Sequence, residues 1–194
     1  MKKRFTSVLI LALLGSLPSP AQRNRRPAKA KGEDTGPVQV TRSATLRVSI
    51  ASDAVGIFEF LADSKKLEQW FPDQAIIEPK VGGKYHFRWK DAEGVWSGMV
   101  TQYIRGNALG FTWQPPGQDY ETNVLFKLSP EGAQTTLELT HSGFTSHEAM
   151  DMVVKAWVFY LQNLKSVVEW GADMRQSVRQ RPARRPTRTR RPGA

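Results

Sequence analysis

The chain contains no cysteine, only three histidines, and no apolar run long enough to cross a bilayer as a helix. The missing cysteine excludes disulfides, a lipobox anchor and thiol chemistry together, so stability has to come from packing. His86, His141 and His147 are scattered, with no His-x-x-x-His and no carboxylate-histidine cluster, and so lack metal-site spacing. No metal is expected. Absent too are G-x-S-x-G, a P-loop and G-x-G-x-x-G; Gly82-Gly83 precedes a strand instead of opening a helix, which argues against a phosphate cradle. No cofactor motif remains.

Acidic residues are missing from residues 175–194, which hold eight arginines, and nearly so from residues 1–42, which hold nine Lys/Arg against two acids. The net charge of +10 therefore divides into +7 for residues 1–42, −5 for residues 43–174 and +8 for residues 175–194. The central part is acidic.

Lys2, Lys3 and Arg4 precede an apolar stretch from Val8 to Leu14, and Ser19-Pro20-Ala21 then offers small residues at the positions a signal peptidase reads. Residues 1–21 are expected to be a signal peptide, cleaved after Ala21 to leave a periplasmic or secreted protein. Residues 22–42 are basic and broken by Pro and Gly, a disordered linker on composition, and residues 175–194 carry Arg-Pro steps that stop a helix and too little apolar area to fold. Both are expected to be tails.

What is present in abundance lies between them. Forty per cent of the chain is hydrophobic and 10% aromatic, enough for one domain with its own core. Residues 45–50 alternate as a strand; Ser52 is placed to cap a helix carrying Val55, Phe58 and Leu61, and a second short helix is expected over Lys65 to Trp70. Five strands are predicted at 84–90, 95–103, 108–114, 121–128 and 134–141, with a short one at 75–79, separated by Gly/Pro turn signals. Such spacing makes an antiparallel meander. Thr145-x-x-Glu148 reads as a capping box ahead of a long helix carrying Trp157, Leu161, Leu164 and Val168, with Gly171 near its end. A sheet with one apolar face and one long helix buries that face by curling around the helix. The expected class is α+β, a helix-grip fold, a curved antiparallel sheet wrapped around a long C-terminal helix.

The order of motifs, Trp70-Phe71-Pro72, Pro79-Lys80-Val81-Gly82-Gly83-Lys84-Tyr85-His86-Phe87-Arg88-Trp89, Phe111-Thr112-Trp113, His141-Ser142-Gly143-Phe144 and Trp157-x-x-Tyr160-Leu161, resembles the START/SRPBCC superfamily. Within it, residues 43–174 look most like the C-terminal domain of activators of the heat-shock protein 90 ATPase. The resemblance implies an apolar cavity between sheet and helix. Strand phase then nominates as its walls Tyr85, Phe87 and Trp89; Leu109, Phe111 and Trp113; Val124 and Phe126; Leu139 and His141, with Trp157, Tyr160 and Leu161 facing them from the helix and Trp70 at the mouth. The plain alternative for each is a core side chain.

His141 is in phase with Leu137 and Leu139, so it should point inward, and it is the one weak catalytic candidate: a neutral imidazole that bonds a ligand or acts as a base. Its bland alternative is a core histidine with its hydrogen bonds satisfied. Four functions follow. A non-catalytic carrier of a small apolar or amphipathic molecule leads. Next come an enzyme of the same fold with cyclase- or dehydratase-like acid-base chemistry, a co-chaperone-like ATPase activator, and polyanion binding through the Arg-rich tails. If the chain is exported, anionic surfaces suit those tails better than chromosomal DNA, and no specific nucleic acid is expected.

Overall fold

The computed structural model describes residues 41–179. The signal-peptide expectation, the linker up to residue 40 and the tail beyond residue 179 lie outside the described residues.

Seven strands form one antiparallel sheet. They are β1 (Arg42–Ile50), β2 (Gln74–Ile77), β3 (Lys84–Arg88), β4 (Trp96–Ile104), β5 (Ala108–Trp113), β6 (Thr122–Glu131) and β7 (Gln134–Phe144), in the spatial order β1-β7-β6-β5-β4-β3-β2. Helices α1 (Ala54–Ala62) and α2 (Ser64–Leu67) join β1 to β2 at the opposite edge, α3 (His147–Trp170) follows the meander, and α4 (Met174–Arg179) comes last. The two-helix connection thus carries the chain across the whole sheet.

Alternation decides the buried face. Tyr85 and Phe87 in β3, Val124, Phe126 and Leu128 in β6, and Leu137, Leu139 and His141 in β7 all point inward, as period two requires. Helix α3 answers with Trp157, Leu161, Leu164 and Val167 at helical spacing, and it packs chiefly on β1 while α1 faces β5 and β6. The sheet grips the long helix as expected. In β4 the alternation slips: the register shifts between Val100 and Gln102, a bulge that bends the strand and turns Tyr103, in place of Gln102, toward Phe58.

The Gly82-Gly83 turn uses both of glycine's freedoms. Gly82 has φ +77°, and a side chain on Gly83 would collide with the Glu78 carbonyl.

Helix caps differ from the sequence reading by one position each. Asp53, not Ser52, accepts from the Gly56 N–H at α1, and Ser146, not Thr145, accepts from the Ala149 N–H at α3. The second short helix is Ser64–Leu67, capped by Asp63, earlier than Lys65 to Trp70. Gly171, in the left-handed region, closes α3.

Both domain boundaries need correction. The folded part does not stop at residue 174, because Arg175 is buried and belongs to the next helix; nor does it start at 43, since Arg42 is already paired in β1.

Candidate functional site

At the end of the sheet where β3 and β5 finish and β4 begins, a cleft of about 400 Å³ lies between the β3–β4 hairpin and the first half of α3. Phe71, Trp89, Trp96, Trp113, Trp157 and Tyr160 supply its aromatic walls, with Val153, Ala156 and Phe159 along the helix side. Neighbouring rings lean on one another at steep angles: Trp89 meets Trp96 at 74° with centroids 4.8 Å apart, and Phe71 meets Trp89 at 85° and Tyr160 at 90°. Phe71 also stacks on Trp157 at 5.0 Å. Edge-to-face contact of this kind holds the walls up from within.

Local sequence explains how the walls are aimed. The Trp70-Phe71-Pro72 turn follows α2; Trp70 goes fully into the core and gives its indole N–H to the Phe60 carbonyl at 2.8 Å, which leaves Phe71 to face the cleft. Trp89, in phase with Tyr85 and Phe87, binds the Phe71 carbonyl through its own N–H at 3.1 Å. Trp96 pairs across the strands with Phe87 and so shares its face.

Of the fourteen side chains nominated from sequence, the structure brings four to the cleft: Trp89, Trp113, Trp157 and Tyr160. The other ten, Trp70, Tyr85, Phe87, Leu109, Phe111, Val124, Phe126, Leu139, His141 and Leu161, lie in packed core and do not line it. Large aromatic side chains fill the space between the middle of the sheet and α3. Strand phase reports which face a residue occupies, not whether that face is open.

Sequence reasoning missed Phe71, Asp91, Ala92, Trp96, Val153, Ala156, Phe159 and Arg175. For Trp96 a signal existed, since it lies across from a strand already read as inward, but the bulge hides the alternation of β4. For Arg175 there was none.

His141 is 1% exposed and every polar atom of its ring is engaged. The indole N–H of Trp157 can only donate, and it lies 2.9 Å from Nδ1, so Nδ1 is the acceptor and the proton sits on Nε2. Nε2–H then donates to the Thr122 hydroxyl at 2.8 Å, and that hydroxyl donates to the Trp113 carbonyl at 2.8 Å. The imidazole is a link in a closed chain and not an accessible base. It ties α3 to β6 and β7, holding the Trp157 indole directly and, through Thr122, the Trp113 backbone.

Burial lowers the His141 pKa to about 4, against an ordinary 6.5. With the folded pKa depressed, the unfolded chain takes up a proton first as pH falls, so stability is complete above about 6.5 and drains away down to about 4. At about 1.36 kcal/mol per unit the loss is about 3 kcal/mol. Glu68, Glu169 and Asp173 are held below their ordinary values, so their contributions are complete above about pH 4.5 and are lost as the pH falls from there. Chemical denaturation at pH 7 and pH 4.5 should show this loss in wild type and much less of it in His141→Gln. An equal pH slope in both proteins would remove the histidine from the explanation.

Arg175 closes one wall of the cleft. Its Nη1 donates to the Phe71 and Pro72 carbonyls at 3.1 and 2.9 Å, Nη2 to the Glu68 carbonyl at 2.7 Å, and Nε and Nη2 together grip the Asp173 carboxylate. Its five N–H groups are all used. The carbonyls are those left over where α2 ends and the turn begins, so the guanidinium caps that helix from a distant part of the chain. Burial pushes the Asp173 carboxyl up, but Arg175 and Asn163 outweigh it and hold it below its ordinary value. Asn163, wholly buried in α3, donates to the Trp70 carbonyl at 2.8 Å and to Asp173 at 3.0 Å while accepting from the Met174 N–H at 2.7 Å. A latch results. Every buried side-chain nitrogen and oxygen among the described residues has a hydrogen-bond partner, and no group of three or more His, Cys, Asp or Glu among them could hold a metal ion.

A curved antiparallel sheet gripping a C-terminal helix, with an aromatic cleft at one end, defines a helix-grip domain of the SRPBCC type. Residues 53–169 match the sequence profile of the Activator of Hsp90 ATPase homolog 1-like proteins, and the chain belongs to that family. Solved structures agree on the fold. A protein from Mesorhizobium loti superposes with a TM-score of 0.61 at 22% identity, over 66% of this chain and 97% of its own. The Aha1 dimer from Colwellia psychrerythraea gives 0.61 at 22%, over 67% and 98%, and CalU16 from Micromonospora echinospora 0.58 at 24%, over 72% and 83%. No curated protein matches the sequence.

Proposed function

We propose that the chain is an exported, non-catalytic binding protein that holds a small apolar or amphipathic molecule in the cleft between the β3–β4 hairpin and α3. The observation that supports this best is the cleft itself: about 400 Å³, lined by seven aromatic side chains, in the size range of small-molecule sites. His141, the one group considered for acid-base work, is locked in hydrogen bonds beneath the wall. Export rests on the basic start, short apolar stretch and Ser19-Pro20-Ala21 of the sequence.

Native protein, purified and titrated with an apolar fluorescent probe, tests the reading. The mass should correspond to a start near Gln22, and the probe should bind with about micromolar affinity while quenching tryptophan emission, since four indoles line the cleft. His141→Gln should change that affinity by no more than the ~0.5–1.5 kcal/mol of a neutral hydrogen bond. A probe that leaves the well-folded protein dark would count against a ligand-holding cleft. The family's description favours a second reading, stimulation of an Hsp90-type ATPase, and that reading gains if stimulation survives with the cleft saturated by probe.

A further inference from the structure

We infer that the cleft prefers an organic cation, a molecule carrying a bulky alkylated ammonium group beside an apolar body. This inference rests on the reading of the cleft as a ligand site and narrows the ligand's chemistry.

Three features of the wall carry it. First, four of the seven aromatic side chains are indoles, Trp89, Trp96, Trp113 and Trp157, and indole faces attract cations more strongly than those of other aromatic side chains. Trp89 stands steeply to Phe71, Trp96 and Trp113, and Tyr160 steeply to Phe71, while Trp157 stacks on Phe71, so the rings do not form one flat wall. Second, the ionisable side chains on the wall, apart from the Tyr160 phenol, are Asp91 and Arg175. Arg175 is matched by Asp173 and has no N–H left to offer, so an anion entering the cleft gains no donor there. Asp91, exposed on the hairpin, puts a carboxylate on the cleft wall, whereas Arg88, Lys90 and Glu93 of the same hairpin do not line it. Third, the buried polar atoms around the cleft are already bonded to one another. Recognition therefore falls to the ring faces and the Asp91 carboxylate, which suits a cation that has no N–H to donate. An alkylated ammonium is such a group.

The test pairs two molecules of nearly the same shape, benzyltrimethylammonium and its neutral carbon analogue neopentylbenzene, as competitors against the bound fluorescent probe. The cation should displace the probe at a concentration at least tenfold lower than the neutral compound. Asp91→Asn should shrink the cation's advantage several-fold without altering displacement by the neutral compound, and Trp96→Leu should shrink it as well. Equal displacement, or better displacement by the neutral compound, would overturn the cation preference and leave the apolar cleft standing. Probe that binds but yields to neither compound would overturn it too. Failure of the probe to bind at all would sink the cleft reading, and the inference with it.

Discussion

Replacing Arg175 with alanine is expected to destabilise the domain by about 3–5 kcal/mol, the cost of breaking a buried, fully bonded charge pair. The side chain is 9% exposed, and without it Asp173 stays partly buried with its main partner gone while the Glu68, Phe71 and Pro72 carbonyls lose their donor. A melting temperature lower by something on the order of 10 °C should follow. Arg175→Lys should recover only part of it, because an ammonium cannot reproduce the fork that spans three carbonyls and a carboxylate. Truncation gives the same contrast without a point mutation. A chain ending after Arg179 should melt like the full-length protein, and one ending after Asp173 should behave like Arg175→Ala. If both truncations melt alike, the latch contributes nothing and the domain ends where composition alone would end it.

Phe111→Ala is the second large effect, with an expected cost of about 3–5 kcal/mol and little change in the cleft. Phe111 is 2% exposed in the packed middle of the sheet, touching the rings of Tyr85, Phe87, Trp113 and Phe126. Trp96→Ala should do the reverse. Half-buried on the cleft wall, it should cost about 1 kcal/mol or less of stability and most of the probe affinity. Denaturant melts and probe titrations on the two variants separate core from wall. Should Phe111→Ala lose binding while keeping its stability, the ligand site would have to lie deep under the sheet instead of at its end.

That contrast also marks how far the sequence could be read. Alternation in β3, β6 and β7 and helical spacing in α3 are strong periodic signals, so the sheet, the gripping helix and the inward placement of Tyr85, Phe87, Phe126, Leu139 and His141 were all legible. Periodicity carries no information on whether inward side chains leave a gap. The gap here arises from the two ends of a hairpin, the Trp70-Phe71-Pro72 turn and a helix distant in sequence, and only tertiary packing brings Phe71, Trp96, Val153 and Phe159 together. The bulge in β4 further hid Trp96 by breaking the pattern that would have given its face. Arg175 was illegible for another reason: its local sequence is rich in arginine and proline, and its burial depends on carbonyls about a hundred positions away. For His141 the face could be read, and its closed hydrogen-bond chain through Trp157 and Thr122 could not.

Diffraction from crystals of the protein grown with the fluorescent probe puts the location of the site to the most direct test. Density for the probe is expected between Trp89, Trp96, Trp157 and Tyr160, with Phe87, Phe111 and Leu139 unmoved beneath it. An empty cleft at saturating probe, or density that displaces those core side chains from the middle of the sheet, would contradict it.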